Sequence, residues 1–171
     1  MDTRLKIAAT WFGVFAFRFF LLPLRAPNVE PLLASVMPLS RVMNGISSFA
    51  FAALSIAAYD AVTSGIGVWT LVTAGAYGAL GLAAHAYFQG RVGTRAQFVG
   101  FGIVGTLAYD AATGLTVGPL AFGQPFMGAL LGQIPFTLLH LAGTVLFALV
   151  LSPILARWLA TSEVRAAQAI A

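Results

Sequence analysis

The sequence has no cysteine among its 171 residues, which excludes disulfide staples, thiolate metal sites, iron–sulfur clusters and cysteine nucleophiles. Charge is almost as scarce. Asp, Glu, Lys and Arg make up 8% of the chain, against roughly 25% in a soluble domain. So few charges cannot coat a particle of this size, and a soluble globular protein is excluded. There is no G-x-x-x-x-G-K-[ST], no dinucleotide glycine fingerprint, no H-E-x-x-H and no G-x-S-x-G. With no visible nucleophile–base pair, no catalytic residue and no enzyme activity are expected. A metal site would have to come from three acids and one histidine, so neither metal nor cofactor is expected. The net charge of +4 does not point to nucleic acid, because the basic residues stand singly between apolar runs, as membrane flanks do.

What the chain does have is hydrocarbon: 60% apolar residues and a mean hydropathy of +0.92. The solvent that tolerates such a surface is a lipid bilayer. The 18 glycines follow no G-x-y register, so neither a collagen-like fibre nor a flexible linker fits. The apolar runs are continuous, unlike the ~10-residue alternating segments of an outer-membrane barrel. The fold class expected is therefore all-α: one polytopic transmembrane domain over 1–171, a six-helix bundle. Its spans run over about 5–22, 29–37, 45–61, 68–88, 98–113 and 134–155. The second is short for a bilayer and calls for tilt or local thinning. Residues 126–133, between Pro125 and Pro135, read either as a re-entrant turn or as the first part of the last helix. Arg18 interrupts the first apolar run, so no cleavable signal peptide is expected.

Lys and Arg near span ends set orientation. With the N-terminus inside, Arg4, Lys6, Arg41, Arg91, Arg95, Arg157 and Arg165 are cytoplasmic, and of nine basic residues only Arg18 and Arg25 lie towards the outside. Both termini are then cytoplasmic in a multi-pass protein of the cell membrane. The same assignment brings Glu30, Asp60 and Asp110, three of five acids, to the outer face.

Two of those acids sit in a repeat. Ala58-Tyr59-Asp60-Ala61-Val62-Thr63 recurs 50 positions later as Ala108-Tyr109-Asp110-Ala111-Ala112-Thr113, with five of six residues identical. Each copy ends an outward-running helix and is followed by glycine, which can close a helix. An acid in the last turn opposes the helix dipole and is costly near hydrocarbon. One reading is a polar cup in which Tyr59, Asp60, Tyr109 and Asp110 contact a ligand; the other is carboxylates reaching interfacial water beside an aromatic belt. Arg18, ~20 Å into the first span, either snorkels outward or pairs with Glu30, Asp60 or Asp110 inside the bundle. His140 lies at the depth of the cup and reads as a ligand contact or as a helix–helix hydrogen-bonder, and His85, near the inner end of the fourth span, as the latter. The small pairs Ala9/Gly13, Ala74/Gly78, Ala79/Ala83, Ala96/Gly100 and Gly128/Gly132 suit close helix packing. Most are expected to serve internal contacts, with Ala9 and Gly13 available to a partner subunit.

Three further stretches carry a family likeness: Pro27-Asn28-Val29-Glu30-Pro31-Leu32, Gly65-Ile66-Gly67-Val68-Trp69-Thr70-Leu71, and Gln133-Ile134-Pro135-Phe136-Thr137-Leu138-Leu139-His140. In this order, in a chain of this length with six spans, they make residues 18–158 resemble a substrate-binding (S) component of an energy-coupling factor (ECF) vitamin transporter. The resemblance implies a bundle whose outer loops and helix tops enclose a micronutrient without catalysis. It also implies a gating loop, here Pro23 to Pro31, and an ATP-driven uptake complex with an integral scaffold subunit and two ATPase subunits. Small residues of the first helix meet the scaffold in that family, which maps to Ala9 and Gly13. Where the family often carries glycine then asparagine after the histidine, this chain has Gly143-Thr144, which leaves the substrate subgroup open.

The expected ligand is a small vitamin or related heterocycle. Its ring would be stacked by Tyr59, Tyr109 or Trp69, and its polar edge read by Asp60, Asp110, Asn28 and Glu30, with Arg18 and His140 at the same site. Three carboxylates favour a neutral or cationic ligand, and Arg18 can reverse that preference. Two other classes compete: a self-sufficient small transporter or channel with the acids as a cation or proton relay, and a non-transport membrane assembly protein.

Overall fold

The computed structural model describes residues 2–21, 24, 26 and 28–160, and among these the regular structure is entirely helical. The helices are α1 (Thr3–Phe20), α2 (Leu32–Leu39), α3 (Gly45–Val62), α4 (Val68–Phe88), α5 (Arg95–Asp110), a π-helical segment (Ala111–Val117), α6 (Gly118–Phe122) and α7 (Phe126–Leu159). Leu22, Pro23, Arg25 and Pro27, within the expected first span and gate, lie outside the described residues, as does Arg165.

Among the described residues, three helical stretches are long and apolar enough to cross a membrane: Gly45–Val62, Arg95–Phe122 and Phe126–Leu159. That suits a membrane protein but corrects the expectation of six such spans. α1 reaches the length but carries Arg4, Lys6 and Arg18, and α4 is diluted by threonines, glycines, tyrosines and His85. The proposed span over 29–37 is instead an eight-residue helix, rising ~12 Å against a hydrocarbon core of ~30 Å. Every residue of α2 is buried. It is a plug inside the bundle, held by Ser152 Oγ, which donates to the Ala34 carbonyl at 2.7 Å. Its apolar run reflects burial in protein, which hydropathy does not separate from exposure to lipid.

Pro31 immediately precedes the plug and Pro38 lies in its last turn, and beyond it Asn44 caps α3 by accepting from the Ser47 amide at 2.8 Å. Thr94 and Gln97 form a reciprocal capping box at the start of α5. Residues 126–133 are the first part of α7, so the re-entrant alternative does not apply. Lys6 Nζ donates to the Trp158 carbonyl at 2.5 Å, which puts the start of α1 and the end of α7 at one end of the bundle. His85 Nδ1 lies 3.0 Å from the Ser40 carbonyl at the end of α2, the helix-to-helix bond expected of it.

The second repeat copy departs from its expected role as a helix end. Both copies share one local bond, since Thr63 and Thr113 donate to the carbonyls of Tyr59 and Tyr109 at 2.8 Å. After Thr63 the helix stops and Gly65 turns with φ 83°. After Thr113 it continues through the π-helical segment to Phe122. Gly114 serves there as space: a Cβ would run into the Gln133 carboxamide. Gly123, with φ 64°, makes the actual stop.

The small-residue pairs also need correction. A Cβ on Gly78 would lie 2.6 Å from the Phe49 ring, but Gly100, Gly128 and Gly132 face open space, and Ala79 and Ala83 are exposed; Gly13, expected to be available to a partner subunit, also has open space around it. α3 approaches α4 closely at Gly81, where a Cβ would collide with the Ser48 backbone carbonyl.

Candidate functional site

Five polar side chains join end to end through the apolar interior. Arg18, in the last turn of α1, places Nε 2.6 Å from Glu30 Oε2. The other oxygen of Glu30 accepts from the Tyr77 hydroxyl at 2.9 Å. Tyr77 stands 3.2 Å from His140 Nε2, and His140 Nδ1 is 2.8 Å from Asp110 Oδ1. The chain thus runs from α1 through the segment before α2 to α4, α7 and α5. Arg18, Tyr77, His140 and Asp110 are all buried.

Local structure explains why these groups meet. Asn28 adopts φ 63°, a left-handed conformation that asparagine tolerates, and Val29 then lies against α7 at Gly143. A Cβ on Gly143 would come within 2.8 Å of Val29 Cα. The bare surface there lets the loop seat, and Glu30 follows it inward. Arg18 is fixed from three sides: by Glu30, by the Tyr59 ring 4.1 Å below its guanidinium, and by the Ser55 carbonyl at 3.4 Å. Tyr109 packs on Tyr77 with ring centroids 4.6 Å apart and on His140 at 5.8 Å. Thr144, which stands where the resemblance led one to expect asparagine, is bonded to Thr106 at 3.0 Å.

Tyr77 has one hydroxyl proton for two neighbours: it donates to Glu30 Oε1 and stands within hydrogen-bond reach of His140 Nε2. Asp110 meets His140 through Oδ1, while its Oδ2 is buried without a hydrogen-bond partner among the described residues.

The expected cup is changed by this arrangement. Arg18 does pair with an acid, and the partner is Glu30. Asp110 is only 2% exposed and, because the helix continues past it, it is no helix-end acid; it lies in the interior, away from any open rim. Glu30 is likewise drawn into the interior. Asp60 is separate from both: half-buried at the α3–α4 turn, its Oδ2 accepts from Thr70 Oγ1 at 2.8 Å. Trp69 is 43% exposed and meets Phe122 edge-on at 5.6 Å. At that end a cavity of about 520 Å3 opens among Trp69, Thr113, Gln124, Gln133 and Phe136, and none of Glu30, Asp60 and Asp110 lines it. Ala9 and Gly13 line an apolar groove of about 460 Å3 between α1 and α7.

Tyr77 escaped the sequence reading, although a signal existed. Nine residues into α4, or ~14 Å, its hydroxyl is too deep for an interfacial belt and needs a buried partner. Tyr77→Phe is expected to lower the unfolding free energy by about 1–2 kcal/mol, since Glu30 and His140 each lose a partner. Denaturant titration in detergent micelles, followed by tryptophan fluorescence, measures this; a loss under about 0.5 kcal/mol contradicts the bridging role.

Among the described residues no three His, Asp or Glu side chains gather as a metal site. Comparison with protein-family models, with curated proteins and with solved structures returns no match.

Proposed function

We propose that this chain is the membrane-embedded substrate-capture subunit of an ECF-type importer, taking up a small vitamin-like molecule from outside with the help of a scaffold subunit and two ATPase subunits. The observation that carries the reading is the buried chain Arg18–Glu30–Tyr77–His140–Asp110. Ionisable groups are costly inside a helical bundle and are found there mainly at solute or ion sites. Here they link four helices and the loop before α2 into one polar frame inside the bundle. A cavity of about 520 Å3 beside that frame has the size of small-molecule sites. In this reading the bundle is embedded in the membrane with both termini cytoplasmic, and α2 sits within it, shielded from lipid by its neighbours. The segment carrying Asn28 and Glu30 covers the frame, and Ala9 and Gly13 present the scaffold-facing groove.

A second reading draws on the same chain. Glu30, Tyr77, His140 and Asp110 form an unbroken series of exchangeable protons, which suits a proton-coupled carrier that works alone. Affinity capture of the tagged protein from its own membranes tests the two. The import reading expects one integral membrane protein and two ATP-hydrolysing subunits to be retained, and uptake into proteoliposomes to need all of them and ATP. ATP-independent uptake by the purified chain alone, driven by a pH gradient, would overturn it in favour of the second.

A further inference from the structure

We propose that the cavity between the start of α4, the π-helical segment and the start of α7 holds the cargo, and that it selects an uncharged flat ring with an amide or imide edge. This rests on the capture reading above and departs from the acidic cup that the sequence suggests.

The charge of the ligand follows from where the charges already are. Glu30 is ion-paired with Arg18 and accepts from Tyr77, Asp60 accepts from Thr70, and Asp110 meets His140 through Oδ1, its Oδ2 being buried away from the cavity lining without a hydrogen-bond partner among the described residues. Among the described residues that line the cavity, none carries a charged side chain. An ionic ligand would have to shed water beside apolar walls with no free counter-charge to meet it. What the walls offer is carboxamide and ring. Gln133 spends one N–H on Thr137 Oγ1 at 3.1 Å, leaving an N–H and an oxygen, while Gln124 offers a second donor and acceptor pair. A carboxamide meets the N–H and C=O of an amide edge reciprocally, which neither an ammonium nor a carboxylate ligand can match. Trp69 and Phe136, from α4 and α7, supply apolar faces for a ring.

The cavity also touches the polar frame. Phe136 stands edge-on to His140 at 6.0 Å, and Thr113 is bonded to the Tyr109 carbonyl. A bound ring therefore leans on residues that set the frame, without replacing any of its bonds.

Gly132 supplies a clean test. It lines the cavity and a Cβ there meets nothing within 4 Å, whereas Gly128 has the same open space away from the lining. The full chain in detergent is offered riboflavin and nicotinamide as uncharged amide- or imide-bearing rings, thiamine as a cation and biotin as a carboxylate, with adducts read by native mass spectrometry. The expected result is an adduct with an uncharged ring only, weakened by about tenfold or more in Gly132→Leu and in Gln133→Leu and unchanged in Gly128→Leu. An adduct with thiamine or biotin overturns the charge selection. An uncharged adduct that survives both cavity variants overturns the location. Both results leave the capture reading standing, because partner retention and ATP-dependent uptake test that reading separately. Absence of any adduct overturns the proposed ligand class.

Discussion

Arg18→Leu is expected to lower the unfolding free energy by about 3–5 kcal/mol, the largest loss of any single substitution in the polar chain. Arg18 and Glu30 are both about nine-tenths buried, with Nε and Oε2 2.6 Å apart. Removing the guanidinium leaves a carboxylate in an apolar interior with only the Tyr77 hydroxyl to stabilise it. The desolvation cost of that orphan, more than the lost attraction, sets the size of the effect. The double variant Arg18→Leu/Glu30→Leu discriminates: with no charge left to strand, it is expected to be more stable than the single variant. Denaturant unfolding in micelles measures both. If the double variant is no more stable than Arg18→Leu, stranded charge is not the cause.

Gly81→Leu is expected to cost about 3 kcal/mol and to splay the α3–α4 hairpin. The obstacle is the Ser48 carbonyl, which as backbone within a helix cannot rotate aside as a side chain can. Gly13→Leu, on the open groove, is the matched control and is expected to change stability by less than about 0.5 kcal/mol. Unfolding titrations compare the pair; equal losses would contradict the helix contact at Gly81.

Particular residues show how far the sequence was legible. The bounds Val68–Phe88 of α4 could be read directly, because glycine before and a polar break after leave little choice. Arg18 was legible as either a snorkelling side chain or the partner of an acid, and it pairs with Glu30. The repeat marked two tyrosines that do pack on the polar frame, Tyr59 under Arg18 and Tyr109 against Tyr77. Three things were hidden. Asp60 and Asp110 sit in near-identical hexapeptides, yet one helix ends and the other runs on, because Gly114 makes room for a glutamine 19 positions later. Tyr77 finds Glu30 and His140 at separations of 47 and 63 residues, which no local pattern encodes. Hydropathy marked α2 as a span because contact with protein and contact with lipid select the same side chains.

The buried position of α2 also bears on how the chain is made. Leu39 closes α2 and Phe126 opens α7, so at ordinary synthesis rates about 4–17 s pass before the first turn of its covering helix leaves the ribosome. Ser152, which bonds Ala34, arrives later still. During that interval an eight-residue segment too short to hold itself in lipid waits with its flank uncovered. The centre of the bundle is thus completed only once the last helix has been made.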